Sequence, residues 1–397
     1  MRRFRLILPL AAGAVVLTAA TVAFARPSHP TTAAKSQAIS CKSTMKLALV
    51  TPLTGAAGFL GNDQLSWAKY AIKTLPRTLG LKVQLVTGDT PVEQGPAPAQ
   101  ALAQKYVADG KVAGIIGPAT SGAVAASSQT YFQAGIAHVS PSATRTSLTQ
   151  GSNKEATPAF FRVVPGDYIQ GPTDATFMVS KLKVKKVVIL DFQEPYSVGL
   201  ADAAERVLKA KNVTTVRLSA PNTTTDYSAY VTKVPSDADI VFFPTQKPPD
   251  AQTFARQLVE QGKKAKVFGG DGSNAPDQFK ATGSYVSNFA PDITGIPADK
   301  ALIEGWKKDN PGKTVGSFGP PSYGATQVLL NAIKLACNAG HGTIPNRRAI
   351  VRQVKKVRVK NWILGGSFRF STKSNDPLNA KFYIFQIQSN GSYKLVG

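Results

Sequence analysis

The chain is poor in the side chains that usually carry catalysis. Its 397 residues include three histidines, two cysteines and three tryptophans. His29 lies in a Pro- and Thr-rich stretch. His138 falls in an apolar run, where a hydrogen-bonded core residue is expected. His341 follows a helix end, where it caps more readily than it catalyses. No cluster of His, Cys and acidic residues marks a metal centre. There is no G-x-S-x-G elbow, no G-x-G-x-x-G fingerprint and no P-loop. With no activated group in sight, neither an enzyme nor a cofactor is expected. Acidic residues are also scarce, 23 against 47 Lys and Arg, for a formal charge of +24, or +21 without Arg2, Arg3 and Arg5. Such a surplus raises the question of nucleic acid. The cations argue against it. They sit in scattered pairs such as Lys185-Lys186, Lys263-Lys264 and Arg347-Arg348, and the one dense run, Arg352 to Lys360, has no interleaved aromatics. A solvated basic surface, attracted to anionic cell-envelope polymer or lipid headgroups, is the expectation.

Long apolar runs are missing beyond Ala25. Before it, Arg2, Arg3 and Arg5 precede an uncharged stretch from Leu6 to Ala25 that closes on Ala23-Phe24-Ala25. This is the pattern of a secretory signal peptide over residues 1–25, cut before Arg26. The other reading is an uncleaved anchor, since about 20 apolar residues can span a bilayer. Residues 26–43 read as a flexible tether rich in Pro, Thr, Ala and Ser. Export makes a Cys41–Cys337 disulfide the expected use of the only two cysteines. A lipid on Cys41 is the alternative, although Ala38-Ile39-Ser40 matches a lipobox poorly.

What the chain does have is a repeating alternation of short β-branched runs and amphipathic helical patterns. Strands are expected at Lys46–Thr51, Val83–Val86, Val112–Ile116 and Ala137–Val139, with helices at Gly61–Leu75, Ala97–Ala108 and Ala123–Ala134 between them. The rhythm restarts after Pro165, with strands at Lys186–Leu190, Val213–Leu218, Ile240–Phe243 and Lys266–Phe268. Helices return at Asp299–Lys308, Tyr323–Cys337 and Ile344–Val357, and Phe368 to Val396 reads as extended. The order predicts an α/β protein with two doubly wound parallel sheets.

Open parallel sheets bind ligands at the carboxyl ends of their strands. In the first half, those ends run into Gly117-Pro118-Ala119-Thr120-Ser121-Gly122 and Ser140-Pro141-Ser142-Ala143-Thr144. Both offer hydroxyls and N–H groups at a helix start and neither brings an acid, which suits a carboxylate. Plain N-capping by Ser121 and Thr144 is the structural alternative. In the second half the ends bring Tyr196, Thr245, Gln246 and the run Gly269-Gly270-Asp271-Gly272. One acid exposed between glycines suits an ammonium group; an Asx-turn would use it structurally.

These residues carry a resemblance. Ala48 to Gly61 (ALVTPLTGAAGFLG), Gly117 to Ala123 (GPATSGA), Ser140 to Gln150 (SPSATRTSLTQ), Phe160 to Pro172 (FFRVVPGDYIQGP), Asp191 to Ala201 (DFQEPYSVGLA) and Phe268 to Asn274 (FGGDGSN) resemble the leucine/isoleucine/valine-binding proteins of ABC importers. The resemblance spans nearly the whole chain after the signal. It implies a type I periplasmic-binding-protein fold, two lobes joined by a three-strand hinge. The first lobe would comprise 44–163 and 290–375, the second 164–289 and 376–397. It implies an exported protein that captures an amino-acid-like ligand and hands it to an ABC transporter permease; an ectodomain held by an uncleaved N-terminal segment is the other role this fold allows. Ser121, Ser142 and Thr144 would hold the α-carboxylate, Tyr196 and Asp271 the α-ammonium group. Leu60, Gln246 and Phe318 would line the side-chain pocket. Leu60 stands where an aromatic is common, Gln246 where some members have tyrosine, and Asp271 where glutamate is usual. The backbone-recognition half thus follows the family, while the side-chain pocket departs from it.

Overall fold

A computed structural model describes residues 38–397. The expected signal peptide and most of the tether lie outside the described residues. The tether ends sooner than expected: Ile39–Ser40 pairs antiparallel with Thr343–Ile344. Beside that pair Cys41 is bonded to Cys337, closing a loop between residues 296 apart in sequence.

Two sheets organise the molecule. The first has five strands, all parallel, in the spatial order Lys82–Asp89, Thr44–Thr51, Val112–Ile116, Ala137–Ser140, Phe160–Arg162. Val112–Ile116 and Ala137–Ser140 are buried along their whole length, as expected for strands covered on both faces. The long helix Gly319–Ala339 covers one face, contributing Val328, Leu329, Leu330, Ile333 and Ala336 to a core shared with Leu47, Leu49, Ile116 and Val139. Full burial of each such aliphatic side chain contributes about 1.5–3 kcal/mol. Trp67, on the helix Gly58–Leu79, stacks on Trp306 of Lys300–Asp309 with ring centroids 4.8 Å apart. Trp362 stacks on Phe368. All three tryptophans are thus packing residues.

The second sheet has seven strands in the order Tyr393–Leu395, Tyr383–Ile387, Tyr285–Asn288, Lys266–Gly269, Ile240–Phe242, Lys186–Asp191, Thr214–Ser219. It departs from the all-parallel expectation. Tyr383–Ile387 runs antiparallel to Tyr285–Asn288, and Tyr393–Leu395 folds back on it as a hairpin. A strand added from the chain's end needs no helical crossover, so antiparallel pairing is open to it. Tyr285–Asn288 was not anticipated, because YVSN is too short to show periodicity.

The chain passes between the sheets three times: after Arg162, after Asn288 and before Tyr383. Two of these passages are bonded to each other. Arg162 Nε donates to Asp376 Oδ1 at 2.7 Å, and both side chains are essentially inaccessible. Asp376 also accepts from Thr149, Gln150 and Tyr168; although burial raises its pKa, Arg162 above all, with the bonds from Thr149 and Gln150, holds it below the usual carboxylate range.

Candidate functional site

The two hydroxyl-bearing loops lie side by side because their strands pair in register, Gly114 with Ala137 and Ile116 with Val139. Gly117 N–H donates to Val139 O at 2.7 Å and fixes the start of the first loop. Its φ of +112° and a virtual Cβ only 2.5 Å from Val50 O admit no other residue there. The cap of the helix Ser121–Gln133 is Thr120, whose Oγ1 accepts from Ala123 N–H. Ser121 is therefore not the capping residue. Its hydroxyl oxygen accepts from Arg145 N–H at 3.2 Å, and it donates no hydrogen bond to another described residue. Thr144 does not cap a helix either, and its buried hydroxyl has no hydrogen-bond partner. Ser142 differs. Its hydroxyl donates to Ala119 O at 2.7 Å and accepts from Gln64 Nε2 at 2.8 Å, so it is already committed.

Arg162 shapes the second loop from behind. Its Nη1 donates to three successive carbonyls, those of Ala143, Thr144 and Arg145, at 3.2, 2.7 and 3.0 Å. Three carbonyls drawn to one guanidinium fix how this loop presents its side chains.

On the other sheet, Asp271 follows the strand Lys266–Gly269. It does not form an Asx-turn. Its Oδ1 accepts from Tyr196 OH and Gln170 Nε2, each at 2.9 Å, and Tyr196 OH in turn accepts from Gly272 N–H at 3.1 Å. The flanking glycines permit this closeness: a Cβ on Gly270 would stand 2.3 Å from Tyr196 OH, and one on Gly272 would stand 2.7 Å from Thr245 O. Asp271 is 2% exposed. Burial lifts its pKa from 3.8 to about 6, opposed by the bonds from Gln170 and Tyr196.

Sequence reasoning missed the residue where the halves meet. Asp167 opens the helix Asp167–Ser180 and is fully buried. Its N–H donates to Thr144 O at 2.7 Å, and neither carboxylate oxygen has a hydrogen-bond partner. Burial first, then repulsion from the Asp271 charge, raise its pKa to about 7, opposed by the positive charges of Arg162 and Arg145. Thr144 of one lobe and Asp271 and Tyr196 of the other thus surround Asp167. Gln170 and Asp174 continue its helix face, with Ser287 Oγ donating to Asp174 at 3.0 Å and burial driving that carboxyl strongly upward. The only sequence signal was an acid and an amide at i and i+3 after Pro165.

The remaining expected residues scatter. Gln246 lines a cavity of about 390 Å³ between the lobes, together with Thr120, Gly122, Phe192 and Pro195. Phe318 lines a wider cleft of about 1010 Å³ with Phe59 and Asn274. Phe59 meets Phe318 edge-on at 5.7 Å, and Phe289 meets it edge-on at 5.6 Å. Leu60 instead joins the first-lobe core. Asp271, Tyr196 and Thr144 line neither opening. Arg145 bridges the lobes, its guanidinium donating to Pro195 O at 2.7 Å while holding Glu155 and Ser147 on its own side. His138 is an ordinary core residue, bonded to Ser128 and Ile136 and kept neutral by burial with a pKa of about 4. Among the described residues no group of three or more His, Cys, Asp and Glu could hold a metal ion, and no helix is long and apolar enough to cross a membrane.

Two α/β lobes with polar strand ends facing each other across the gap between them define a class of ligand-capturing proteins. The periplasmic binding protein profile matches residues 44–392, and the chain belongs to that family. Membership implies an extracytoplasmic location. The chain is 30% identical over 302 residues to the Leu/Ile/Val-binding protein BraC3 of Rhizobium johnstonii, covering 74% of this chain and 80% of that one. It is 28% identical over 353 residues to an amino acid binding protein of Pseudomonas aeruginosa, covering 86% and 90%. Among solved structures, the leucine binding protein LivK of Thermotoga maritima superposes with a TM-score of 0.79 at 24% identity, over 89% of this chain and 98% of that one. That last likeness establishes the type I periplasmic-binding fold.

Proposed function

We propose that this protein captures a free α-amino acid between its lobes and delivers it to an ABC importer. The lobes in this reading are 44–163 with 290–375 and 164–289 with 376–397. The observation that carries the reading is the meeting of Thr144, Asp271 and Tyr196 around Asp167. Ser121 and Thr144 supply hydroxyl hydrogens, and the start of the helix Ser121–Gln133 supplies N–H groups, for the α-carboxylate. Asp271 receives the α-ammonium group with Asp167 beside it. Burial raises both carboxyls, Asp167 further than Asp271, so Asp271 is the readier of the two to face the ammonium group as a carboxylate. Ser142 positions the loop through Gln64 and Ala119 rather than touching the ligand by its hydroxyl. Phe59, Phe289 and Phe318 give the side-chain region an aromatic wall, while Gln246 lines the separate, smaller cavity. The names of the relatives, which are amino-acid binders, support the same class of ligand.

A thermal-shift screen over amino acids, their amides and their deaminated acids tests this. A ligand at 100 times its Kd stabilises the native state by about 2.7 kcal/mol, so even micromolar binders register. Amino acids should raise the Tm while their deaminated acids do not, and small-angle scattering should show compaction with the same ligands. Stabilisation by carboxylates regardless of the amine would overturn the assignment of Asp271.

A further inference from the structure

From Asn310 to Gly397 the chain has a single acid, Asp376, against 13 Lys and Arg. That acid is buried and bonded to Arg162, so it offsets nothing at the surface. Six of the cations, Arg352, Lys356, Arg358, Lys360, Arg369 and Lys373, are exposed on one short stretch of structure. Arg352 sits on the helix Arg348–Val354, which runs directly into the antiparallel pair Arg358–Val359 and Phe368–Arg369. Lys355 Nζ reaches Thr372 O at 3.1 Å, which ties the helix end to the segment bearing Lys373. Within the pair, Arg358 stands directly opposite Arg369. Like charges in cross-strand register disfavour the fold. None of the six forms an ion pair among the described residues.

We propose that this face is an electrostatic docking surface for a membrane rich in anionic phospholipid. The inference rests on the reading of the chain as an extracytoplasmic importer subunit, which must find a partner embedded in a membrane. The cations are spread over a helix and a ribbon, and they line neither of the two cavities described above. A spread of charge without a groove suits a planar headgroup layer better than a single polymer strand. The apolar side chains of the ribbon, Val359, Phe368 and Phe370, face inward, so the contact is one of charge and not of insertion. Adsorption to the membrane turns a search in three dimensions into one in two, and the weakness of each contact keeps it reversible.

The test is co-sedimentation with vesicles of phosphatidylglycerol and phosphatidylcholine in equal parts, and of phosphatidylcholine alone, at about 0.15 M salt. The protein should bind the first and not the second. The variant K360Q/R369Q/K373Q removes three exposed side chains that make no hydrogen bond, and should lower partitioning by about a hundredfold. The variant K181Q/K211Q/K264Q removes the same charge from the other lobe and should retain most of the binding. Failure of the wild-type protein to bind anionic vesicles overturns the proposal. So does equal loss in the two triple variants, which would mean that only net charge matters. Binding of soluble inorganic polyphosphate without vesicle binding would assign the face to a polymer instead. Vesicle binding is read without any amino acid present, so its outcome is independent of whether the ligand assignment holds.

Discussion

Replacing Asp271 by Asn separates binding from folding. Asn keeps an oxygen at the position that accepts from Tyr196 and Gln170, so the buried network survives. What is lost is a charge that the ligand-free protein holds at a cost. Burial raises the Asp271 pKa from 3.8 to about 6, so the unfolded chain ionises first. Wild-type stability attributable to this group is therefore fully present below about pH 4 and falls away as pH rises through about 6. Asp271→Asn escapes that fall. At neutral pH the ligand-free variant should be as stable as wild type or more so, by up to about 3 kcal/mol, the advantage appearing between about pH 4 and 6. Ligand binding should move the other way. Truncating one partner of an enclosed charge pair costs about 2–5 kcal/mol, equivalent to a loss in affinity of roughly thirtyfold to several thousandfold. Calorimetric titration gives the affinity, and thermal melts from pH 4 to 8 give the stability. Unchanged affinity for the wild-type ligand would refute an ammonium partner at Asp271. A large loss of ligand-free stability would refute the account of the network.

Other consequences follow from the same contacts. Arg162→Met strands the buried Asp376 carboxylate and should cost about 3–5 kcal/mol in denaturant unfolding, with the double variant Arg162→Met/Asp376→Leu recovering much of it. Arg145→Ala removes a charged hydrogen bond that exists only when the lobes meet, so stopped-flow measurements should show ligand release faster by about tenfold with little change in unfolding. Cys41→Ser/Cys337→Ser should lower stability by about 2–5 kcal/mol, because the bond closes a very long loop in the unfolded chain. Titration of the wild-type protein should find no free thiol.

The alternation of strands and helices was legible where the first-sheet strands are apolar runs bounded by turn residues; the edge strand Phe160–Arg162, three residues long and without a β-branched side chain, was missed. Val112–Ile116 was read to the residue. The start of the helix Gly319–Ala339 was read late, at Tyr323, since prolines at the first positions of a helix mask its beginning. The extended tail was read too generously: between Phe370 and Tyr383 the chain has no regular strand, only an isolated bridge from Phe370 to Pro377. The positions of Ser121, Thr144, Tyr196 and Asp271 beyond strand ends were legible because strand-end loops are local. Asp167 and Arg162 were not. Their roles depend on which crossover packs on which loop, and a sequence window contains no trace of that. The distinction between Thr120 and Ser121 as cap was likewise invisible, since both residue types cap well.

The stacked pair Trp67 and Trp306 has a practical consequence. Together with Trp362 these are all the tryptophans in the chain, and all three lie in the core built on the five-stranded sheet. The core of the seven-stranded sheet is built instead on phenylalanine and tyrosine, with Tyr227 packed against Phe192, Phe243 and Phe254. Emission excited at the red edge of the indole band therefore watches one lobe alone, while far-ultraviolet circular dichroism sums both. Superimposable denaturation curves from the two signals mean that the doubly interrupted chain melts as one cooperative unit. Curves that separate would order the two lobes by stability, with no label and no engineered reporter.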